Sequence, residues 1–198
     1  MVPVPAVPTH QNAPIYIVDR PGSSQTVFYL IFPGVSQGNP AESDLKAGTI
    51  ALGGTFTSRL NQLLREQKGY TYGVKARTVQ YSQVGYQVIS SRIRTDATDE
   101  AMVDLMSELK RIQEGITEEE ARKAVLSFQQ DQVEAMGSRE GMALTFSEYH
   151  SAGMSPEALG NALGKMREVG LEGIKAAMKT YLPEQAVIVL VGDRQAIE

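Results

Sequence analysis

The chain has 198 residues, of which 42% are hydrophobic and 21% are charged; it contains no cysteine and only two histidines, His10 and His150. Without cysteine neither a disulfide framework nor a thiolate metal site can form, and two histidines cannot build a three-histidine metal site. The formal net charge of −4 argues against nucleic acid as a partner. No uninterrupted apolar run approaches the ~20 residues that cross a bilayer, so we expect no membrane span.

The first residues differ in composition from the rest of the chain. Residues 1–14 contain four prolines and almost no charge, which favours an extended backbone with few amide donors. The sequence therefore predicts a proline-rich linker over residues 1–14, followed by one domain over residues 15–198. We expect the linker to join this domain to further polypeptide; an ordinary frayed terminus is the alternative.

Five segments have the composition of β-strands, which is rich in β-branched and aromatic residues. Ile15 to Asp19 and Thr26 to Val35 are interpreted as a first pair of strands, the second apolar on both faces and therefore central. Tyr72 to Tyr81 and Gly85 to Arg94 predict a hairpin. Residues 186–191 form a short, continuously apolar run of strand length.

Helical periodicity fills the intervals between these strands. Phe56, Leu60, Leu63 and Leu64 recur at the spacing of one helical face, and Gly69 is placed to end that helix in a left-handed conformation. Further helices are predicted over about 41–52, 102–112, 117–128, 139–152, from 155 onwards, and over 171–181 as the last helix. Hairpins mixed with runs of helices indicate an α+β fold, with a mostly antiparallel sheet and helices packed on one face.

The usual catalytic constellations are missing or weak. A serine nucleophile normally needs a neighbouring base, but the two histidines lie in the linker and in a helical segment. Between Asp96 and Glu140 there are twelve acidic residues against five basic ones. They fall mostly on the outer faces of amphipathic helices, which is typical of a solvated surface rather than of paired catalytic carboxylates.

A basic region stands out in this acidic chain. Between Thr55 and Arg94 there are seven basic residues and a single acid, Glu66. The basic residues are Arg59, Arg65, Lys68, Lys75, Arg77, Arg92 and Arg94. They predict a locally positive surface, and the alternative is that they pair with the acidic helices of the same domain.

Two polar residues inside that region are candidates for a site. Arg65 is expected in the last turn of a helix and Tyr72 at the start of the next strand, with Gly69 making the reversal between them. Their side chains could then converge, and a guanidinium and a phenol are donors suited to carbonyl oxygens and to developing negative charge. Neither group is a general base at neutral pH. The alternative is a structural cation–π or capping arrangement.

Residues Gly53 to Val74 read GGTFTSRLNQLLREQKGYTYGV. This stretch resembles the signature of the second domain of the pitrilysin/insulinase (M16) metallopeptidase family, approximately G-G-x-x-S-R-L-x-x-x-[IVL]-R-E-x-x-G-[LY]-x-Y-x-[VI]. Leu63 is a mild departure, since acidic residues are common at that position. The first strands, the acidic helix pair after Thr95 and the ending Val191-Gly192-Asp193 also fit.

The resemblance implies an α+β domain of the mitochondrial processing peptidase type, which with a sister domain makes one half of a clamshell peptidase. The family binds zinc through an H-x-x-E-H helix in its catalytic half, and that motif is absent here. We therefore expect no cofactor in this chain, zinc in a partner half, and no activity from the isolated domain. By the resemblance, Arg65 and Tyr72 would contact the peptide substrate near the scissile bond.

The same fold also serves as a non-catalytic structural or assembly subunit, and that is the alternative function. The presence of both Arg65 and Tyr72 favours the peptidase function over this alternative. The expected partners are a peptide and an H-x-x-E-H domain, on the same polypeptide or on another subunit. We expect a periplasmic or cell-envelope location rather than a cytoplasmic one, although a chain without cysteine fits either compartment.

Overall fold

A computed structural model describes residues 14–182 and 186–197. The predicted linker lies almost entirely outside the described residues. The fold class is α+β, as predicted, and the fold is built on one five-stranded sheet.

The sheet has the strand order β1-β5-β2-β4-β3, and three of its four pairings are antiparallel. Only β1 and β5 run parallel. The predicted hairpin is confirmed as β3 and β4, and β2 is the central strand, as its apolar composition predicted. The strands are β1 Ile15–Asp19, β2 Gln25–Pro33, β3 Thr71–Gln80, β4 Gly85–Arg94 and β5 Val187–Gly192.

The prediction that β1 and β2 pair with each other is wrong. The last strand, β5, lies between them, parallel to β1 and antiparallel to β2. A short segment that is apolar at every position fits between two strands regardless of which face it turns to the core, so its sequence does not reveal its neighbours. Insertion of β5 brings the two ends of the domain together, since Arg20 N donates to the carbonyl oxygen of Gly192 over 2.7 Å.

Helices cover one face of the sheet and leave the other open. On β2, Phe28, Leu30 and Phe32 are buried against the helices, whereas the intervening Tyr29 is 41% exposed. The central strand is therefore apolar on both faces but buried on only one. Helical residues that complete this core include Leu45, Leu52, Leu60, Leu64, Leu105 and Ile174.

The helical layer begins with α1, Glu42–Thr49, which continues as a π-helical turn at Ile50–Gly54. A second π-helical segment occupies Asn61–Gln67, and a single 3₁₀ turn, Thr95–Ala97, precedes α2. The remaining helices are α2 Thr98–Glu114, α3 Glu118–Met136, α4 Arg139–Ser151, α5 Pro156–Met166, α6 Leu171–Tyr181 and α7 Arg194–Ile197. The short α7 follows β5, so the helix over 171–181 is not the last.

One helical detail differs from the sequence-based expectations and another agrees with them. Phe56 lies in the turn before the helix, which starts at Arg59, and is 62% exposed. Leu60 and Leu64 are fully buried and Leu63 is partly buried, as their spacing predicted, but Phe56 precedes the helix and does not share that face. Gly69, by contrast, has φ of +65° and ends the segment in the left-handed conformation that was predicted.

The two glycines at the start of the signature allow close packing of the π-helical turn on the sheet. A Cβ atom placed on Gly53 would lie 2.8 Å from the Cβ of Ala76 on β3. This approach fixes the connection after α1 against the strand that begins at the candidate site.

The helices α3 and α4 differ in how firmly they join the core. The N-terminal half of α3 buries Ala121, Ala124 and Phe128. No residue of α4 is buried, and Leu144 and Phe146 on it are 59% and 41% exposed. No helix in the described part of the chain is long and apolar enough to cross a bilayer.

Candidate functional site

The reversal between Arg65 and Tyr72 is fixed by backbone hydrogen bonds. Tyr70 N donates to the carbonyl oxygen of Leu64 over 2.9 Å, and Gly69 N donates to that of Arg65 over 3.2 Å. The left-handed Gly69 then directs the chain into β3. Both candidate residues therefore belong to one rigid helix-to-strand connection at the edge of the sheet.

Arg65 rests on an aromatic ring. Its guanidinium carbon lies 3.6 Å from the centroid of the Phe56 ring, and its Nη1 lies 3.3 Å from Oε1 of Glu66. The side chain is 28% exposed, yet Nη1 is shielded from solvent and makes no hydrogen bond. The cation–π contact expected as the structural alternative is thus present, and it leaves a guanidinium donor without a hydrogen-bond acceptor.

Tyr72, unlike the mostly buried Arg65, has a side chain that is 92% exposed. It lies in a bulge of β3: Thr71 is opposite Ile93 and Val74 opposite Ser91, so β3 carries one extra residue over this interval. Bulges redirect side chains that a regular strand would place elsewhere. Here the bulge presents the phenol at the edge of the open face of the sheet.

Asn61 holds the C-terminal end of this bulge, at Val74. Its Oδ1 accepts from Val74 N over 2.8 Å, and its Nδ2 donates to the carbonyl oxygens of Val74 and Thr55, each over 2.9 Å. The residue is 5% exposed. Because β3 is the outermost strand, this side-chain amide takes the backbone positions of Val74 that a further strand would use.

The hydroxyl groups of Thr71 and Ser91 hold the bulge at Thr71 and Gly73. Thr71 Oγ1 lies 2.7 Å from Ser91 Oγ and accepts from Gly73 N over 3.1 Å. Ser91 Oγ also lies 2.8 Å from the carbonyl oxygen of Gly73, to which it can donate. The exposed Tyr72 therefore stands between residues tied down by Asn61, Thr71 and Ser91. Sequence reasoning did not select these three; an asparagine inside a predicted helix was the one available signal, since it favours backbone bonding over helix formation.

Tyr72 borders a concave surface of about 540 Å³ on the open face of the sheet. Among the residues that line it are Tyr29, Tyr72, Lys75, Ser90 and Arg92, and no acidic side chain of residues 14–182 and 186–197 does so. Arg65 is not part of this lining. Arg65 and Tyr72 make no hydrogen bond or cation–π contact with each other, so their convergence on one ligand stays a prediction.

The basic region divides into two groups. Arg59 reaches the acidic helices: Nε and Nη2 bond both carboxylate oxygens of Glu120 over 2.6 and 2.8 Å, Nη1 lies 3.4 Å from Glu108, and Nη2 donates to Gly115 O over 2.9 Å. Lys68 pairs with Asp104 on α2 over 3.1 Å. For these residues the predicted alternative, pairing with the acidic helices, is correct.

The hydrogen bonds from Arg59 change the pKa of Glu120. The Arg59 hydrogen bond lowers the pKa of Glu120 to about 2; burial opposes this shift, and bonds from the Thr117 backbone and hydroxyl reinforce it. Glu120 thus has two tasks, because with Thr117 it also closes the predicted capping box of α3. Arg59, the first arginine of the signature, therefore joins the segment before the π-helix to α2 and α3.

The second group lies on the strands. Lys75, Arg77 and Arg92 make no ion pair within residues 14–182 and 186–197. Arg94, at the end of β4, pairs with Asp96 over 3.0 Å. The locally positive surface predicted from the sequence is therefore confined to the open face of β3 and β4, beside Tyr72.

The described residues contain no group of three His, Asp or Glu side chains that could hold a metal ion. The side chains around Tyr72 are cations, hydroxyls and phenols, which do not suit zinc. What this arrangement offers is a set of donors that can bind carbonyl or carboxylate oxygens.

The comparisons agree with this architecture. The model of the family described as the peptidase M16 inactive domain matches residues 2–128. Since the match covers more than half of the chain, the protein belongs to this family of M16 inactive domains. No curated protein sequence matches the chain.

Similar solved structures share the fold. A peptidase M16 inactive domain from Pseudomonas fluorescens is 23% identical with a TM-score of 0.81, over 94% of this chain and 45% of that one. Complex III from Candida albicans is 14% identical with a TM-score of 0.79, over 91% and 46%. The periplasmic protease PqqL from Escherichia coli is 18% identical with a TM-score of 0.72, over 93% and 21%. The chain thus spans less than half the length of each of these.

Proposed function

We propose that this chain is the non-zinc, substrate-binding domain of an M16 zinc metalloendopeptidase, in which Arg65 and Tyr72 contact the peptide backbone beside the scissile bond. The observation that carries the proposal is the presentation of Tyr72. Its phenol is 92% exposed, yet the strand bulge beneath it is held by the polar side chains of Asn61, Thr71 and Ser91. An exposed side chain that projects from a backbone fixed in this way is suited to contact a ligand.

The chemistry of the pair supports donation rather than proton abstraction. The phenol O–H of the exposed Tyr72 is a donor that a substrate carbonyl oxygen can use, and the partly exposed guanidinium of Arg65 supplies further N–H donors. Such bonds strengthen as the oxygen gains negative charge in the transition state. Activation of the attacking water is the task of the zinc half, which supplies the H-x-x-E-H helix.

Unburied apolar surface supports a partner domain. Leu144 and Phe146 on α4 and the residues of β1 are exposed, with Ile15 at 61% and Val18 at 50%. Clusters of exposed apolar side chains are typical of surfaces that other domains cover, and α4 and β1 each carry several. We propose that the covering partner carries H-x-x-E-H, and that the assembled protein resides in the periplasm or cell envelope, by analogy with the periplasmic protease PqqL.

The experiment compares Arg65→Ala and Tyr72→Phe in the peptidase assembled from this chain and its H-x-x-E-H half. We expect each change to lower kcat about 100-fold, as for loss of one donor to a developing oxyanion, with zinc content unchanged. Tyr81→Phe and Arg167→Ala are the matched controls, since both residues are exposed and lie outside the concave surface. Unchanged cleavage by both Arg65→Ala and Tyr72→Phe would reject the assignment.

The isolated chain is expected to cleave no peptide and to bind no stoichiometric zinc. Finding either property would contradict the division of labour proposed here. The second candidate, a structural or assembly subunit, draws on the likeness to complex III. It predicts that the chain assembles with its partners while substitution of Arg65 and Tyr72 has no consequence for any activity of the assembly.

A further inference from the structure

The unpaired cations of β3 and β4 share one face with Tyr72. Lys75 lies opposite Ser90, and Ser90 lies opposite Tyr29 on the next strand. Arg92 lies opposite Val27. Because side chains directly opposite one another in a sheet project to the same side, Lys75 and Arg92 belong to the open face that carries Tyr29.

We propose that this face binds an acidic segment of a peptide, with Lys75 and Arg92 contacting Asp or Glu side chains while Tyr72 contacts the neighbouring backbone. The inference rests on the proposed function and adds the substrate class. It is carried by charge complementarity: among the described residues, two cations without ion-pair partners line a concave surface to which no acid contributes, in a chain whose net charge is −4. Elsewhere in the basic region, Arg59 and Lys68 have found acidic partners within the domain.

The geometry also favours binding through side chains. At the outer edge of β3 the backbone groups of Val74 are already bonded to Asn61. A peptide therefore cannot add as a further strand at Val74, which disfavours the sheet-edge mode of recognition beside Tyr72. Contacts made across the open face remain, and these depend on the side chains that the peptide presents.

Hydrophobic side chains adjoin the cations. The row that runs from Lys75 through Ser90 and Tyr29 continues to Val189 on β5 and Tyr16 on β1. Tyr29 and Tyr16 are 41% and 50% exposed. The ligand that fits this surface is therefore a peptide in which an acidic residue is followed by apolar ones, rather than a uniformly charged polymer.

The test measures binding of labelled peptides to the 198-residue chain by fluorescence anisotropy at low ionic strength, where exposed charges are least screened. Three peptides are compared that differ only in carrying Glu, Gln or Lys at two positions next to an apolar segment. We expect the Glu peptide to bind about 5-fold more tightly than the Gln peptide, as for two exposed ion pairs. Lys75→Gln/Arg92→Gln should abolish that difference, and Lys75→Glu/Arg92→Glu should transfer the preference to the Lys peptide.

The matched control is Lys179→Gln/Arg167→Gln. It removes the same charge from exposed residues of the helical layer, neither of which makes an ion pair in the described part of the chain. Equal binding of the Glu and Gln peptides, an equal loss in the control, or a single-stranded oligonucleotide that binds more tightly than the Glu peptide through the same two cations would each overturn the proposal.

Failure of this inference can be distinguished from failure of the proposed function. If the assembled peptidase cleaves Glu and Gln peptides with equal kcat/KM but loses activity in Tyr72→Phe, the acidic preference is wrong and the function stands. If the Glu preference is found in the binding assay while Arg65→Ala and Tyr72→Phe leave cleavage unchanged, the surface binds acidic peptides and the assigned role of the pair is wrong.

Discussion

Asn61 is the residue on which the geometry of the candidate site depends most directly. Its amide makes two hydrogen bonds that join the start of the π-helical segment to the bulge of β3, and a third to the carbonyl oxygen of Thr55. The groups it satisfies are backbone atoms of a buried edge, which water cannot reach without movement of the chain. Such a residue acts on function through Tyr72 and is a positioning residue rather than a catalytic one.

We expect Asn61→Ala to lower the free energy of unfolding by about 2–4 kcal/mol, because buried backbone donors and acceptors lose their partner. Urea denaturation monitored by circular dichroism measures this change. Asn161→Ala is the control: Asn161 is exposed on α5, and its loss should alter stability by no more than about 0.5 kcal/mol. Similar small effects of both substitutions would show that the amide of Asn61 does not hold the bulge.

At the scale of elements, one ion-pair cluster joins the start of the helix that leads into the π-helical segment to α2 and α3. Arg59 contributes its guanidinium, Glu108 lies on α2, and Glu120 lies in the first turn of α3. Arg59 and Glu108 are only 15% and 6% exposed as side chains. Removing one partner from such a cluster leaves a poorly solvated charge behind, so the cost exceeds that of an ordinary surface pair.

The low pKa of Glu120 makes this contribution depend on pH. A carboxyl group with a pKa of about 2 in the folded chain, against 4.5 as its ordinary value, stabilises the fold at pH values above 4.5. That contribution declines as the pH falls from 4.5 towards 2, because the unfolded chain then binds a proton that the folded chain does not. Partial exposure of Glu120 reduces the effect through solvent screening.

We expect Glu120→Gln to lower the free energy of unfolding by about 2 kcal/mol at pH 7. The difference from the unsubstituted chain should be constant above about pH 5.5 and shrink by roughly 1 kcal/mol at pH 3.5. Urea titrations at pH 7, 5.5 and 3.5 measure it. Glu118→Gln, an exposed position of the same helical turn without an ion pair in the described chain, should show neither effect. A difference that grows on acidification would contradict the assignment.

On the scale of the whole molecule, stability is distributed unevenly. The central strand β2 has hydrogen-bonded neighbours on both sides and carries Phe28 and Leu30, both fully buried. The helix α4 buries no residue and contacts the rest mainly through α3 and α5. Local opening is easiest where few apolar contacts are lost. The helix α4, which we propose that a partner domain covers, is therefore also the part that depends least on the core.

We expect amides of α4 to exchange with deuterium at least about 100-fold faster than those at the centre of β2, because opening α4 breaks no buried packing. Hydrogen-exchange mass spectrometry of the isolated chain measures this, with α1, which buries Leu45, as the helical comparison. Exchange in α4 as slow as in α1, at protein concentrations low enough to prevent association, would contradict the expectation. Assembly with the H-x-x-E-H half should slow exchange in α4 if that helix lies in the interface.

The local signals in the sequence were sufficient for much of the fold. The β3–β4 hairpin, the left-handed Gly69 and the capping box of Thr117 and Glu120 were all predicted and are all present. Each depends on chemistry within a few residues: strand alternation with turn residues, a glycine without Cβ repulsion, or a reciprocal side-chain bond across one helical turn. The signature from Gly53 to Val74 identified the family because it lies in one uninterrupted segment.

Features that join distant segments had no such local signal. The place of β5 between β1 and β2 depends on which apolar faces meet in the folded chain, and the division of the seven basic residues depends on which acids come within reach. Arg59 and Arg92 look alike in the sequence, but one is clamped between α2 and α3 and the other faces the open sheet. The sequence determined the family, the elements and the candidate residues Arg65 and Tyr72. Only the tertiary structure decided which charges are free to act, because pairing and burial depend on distances in space and not along the chain.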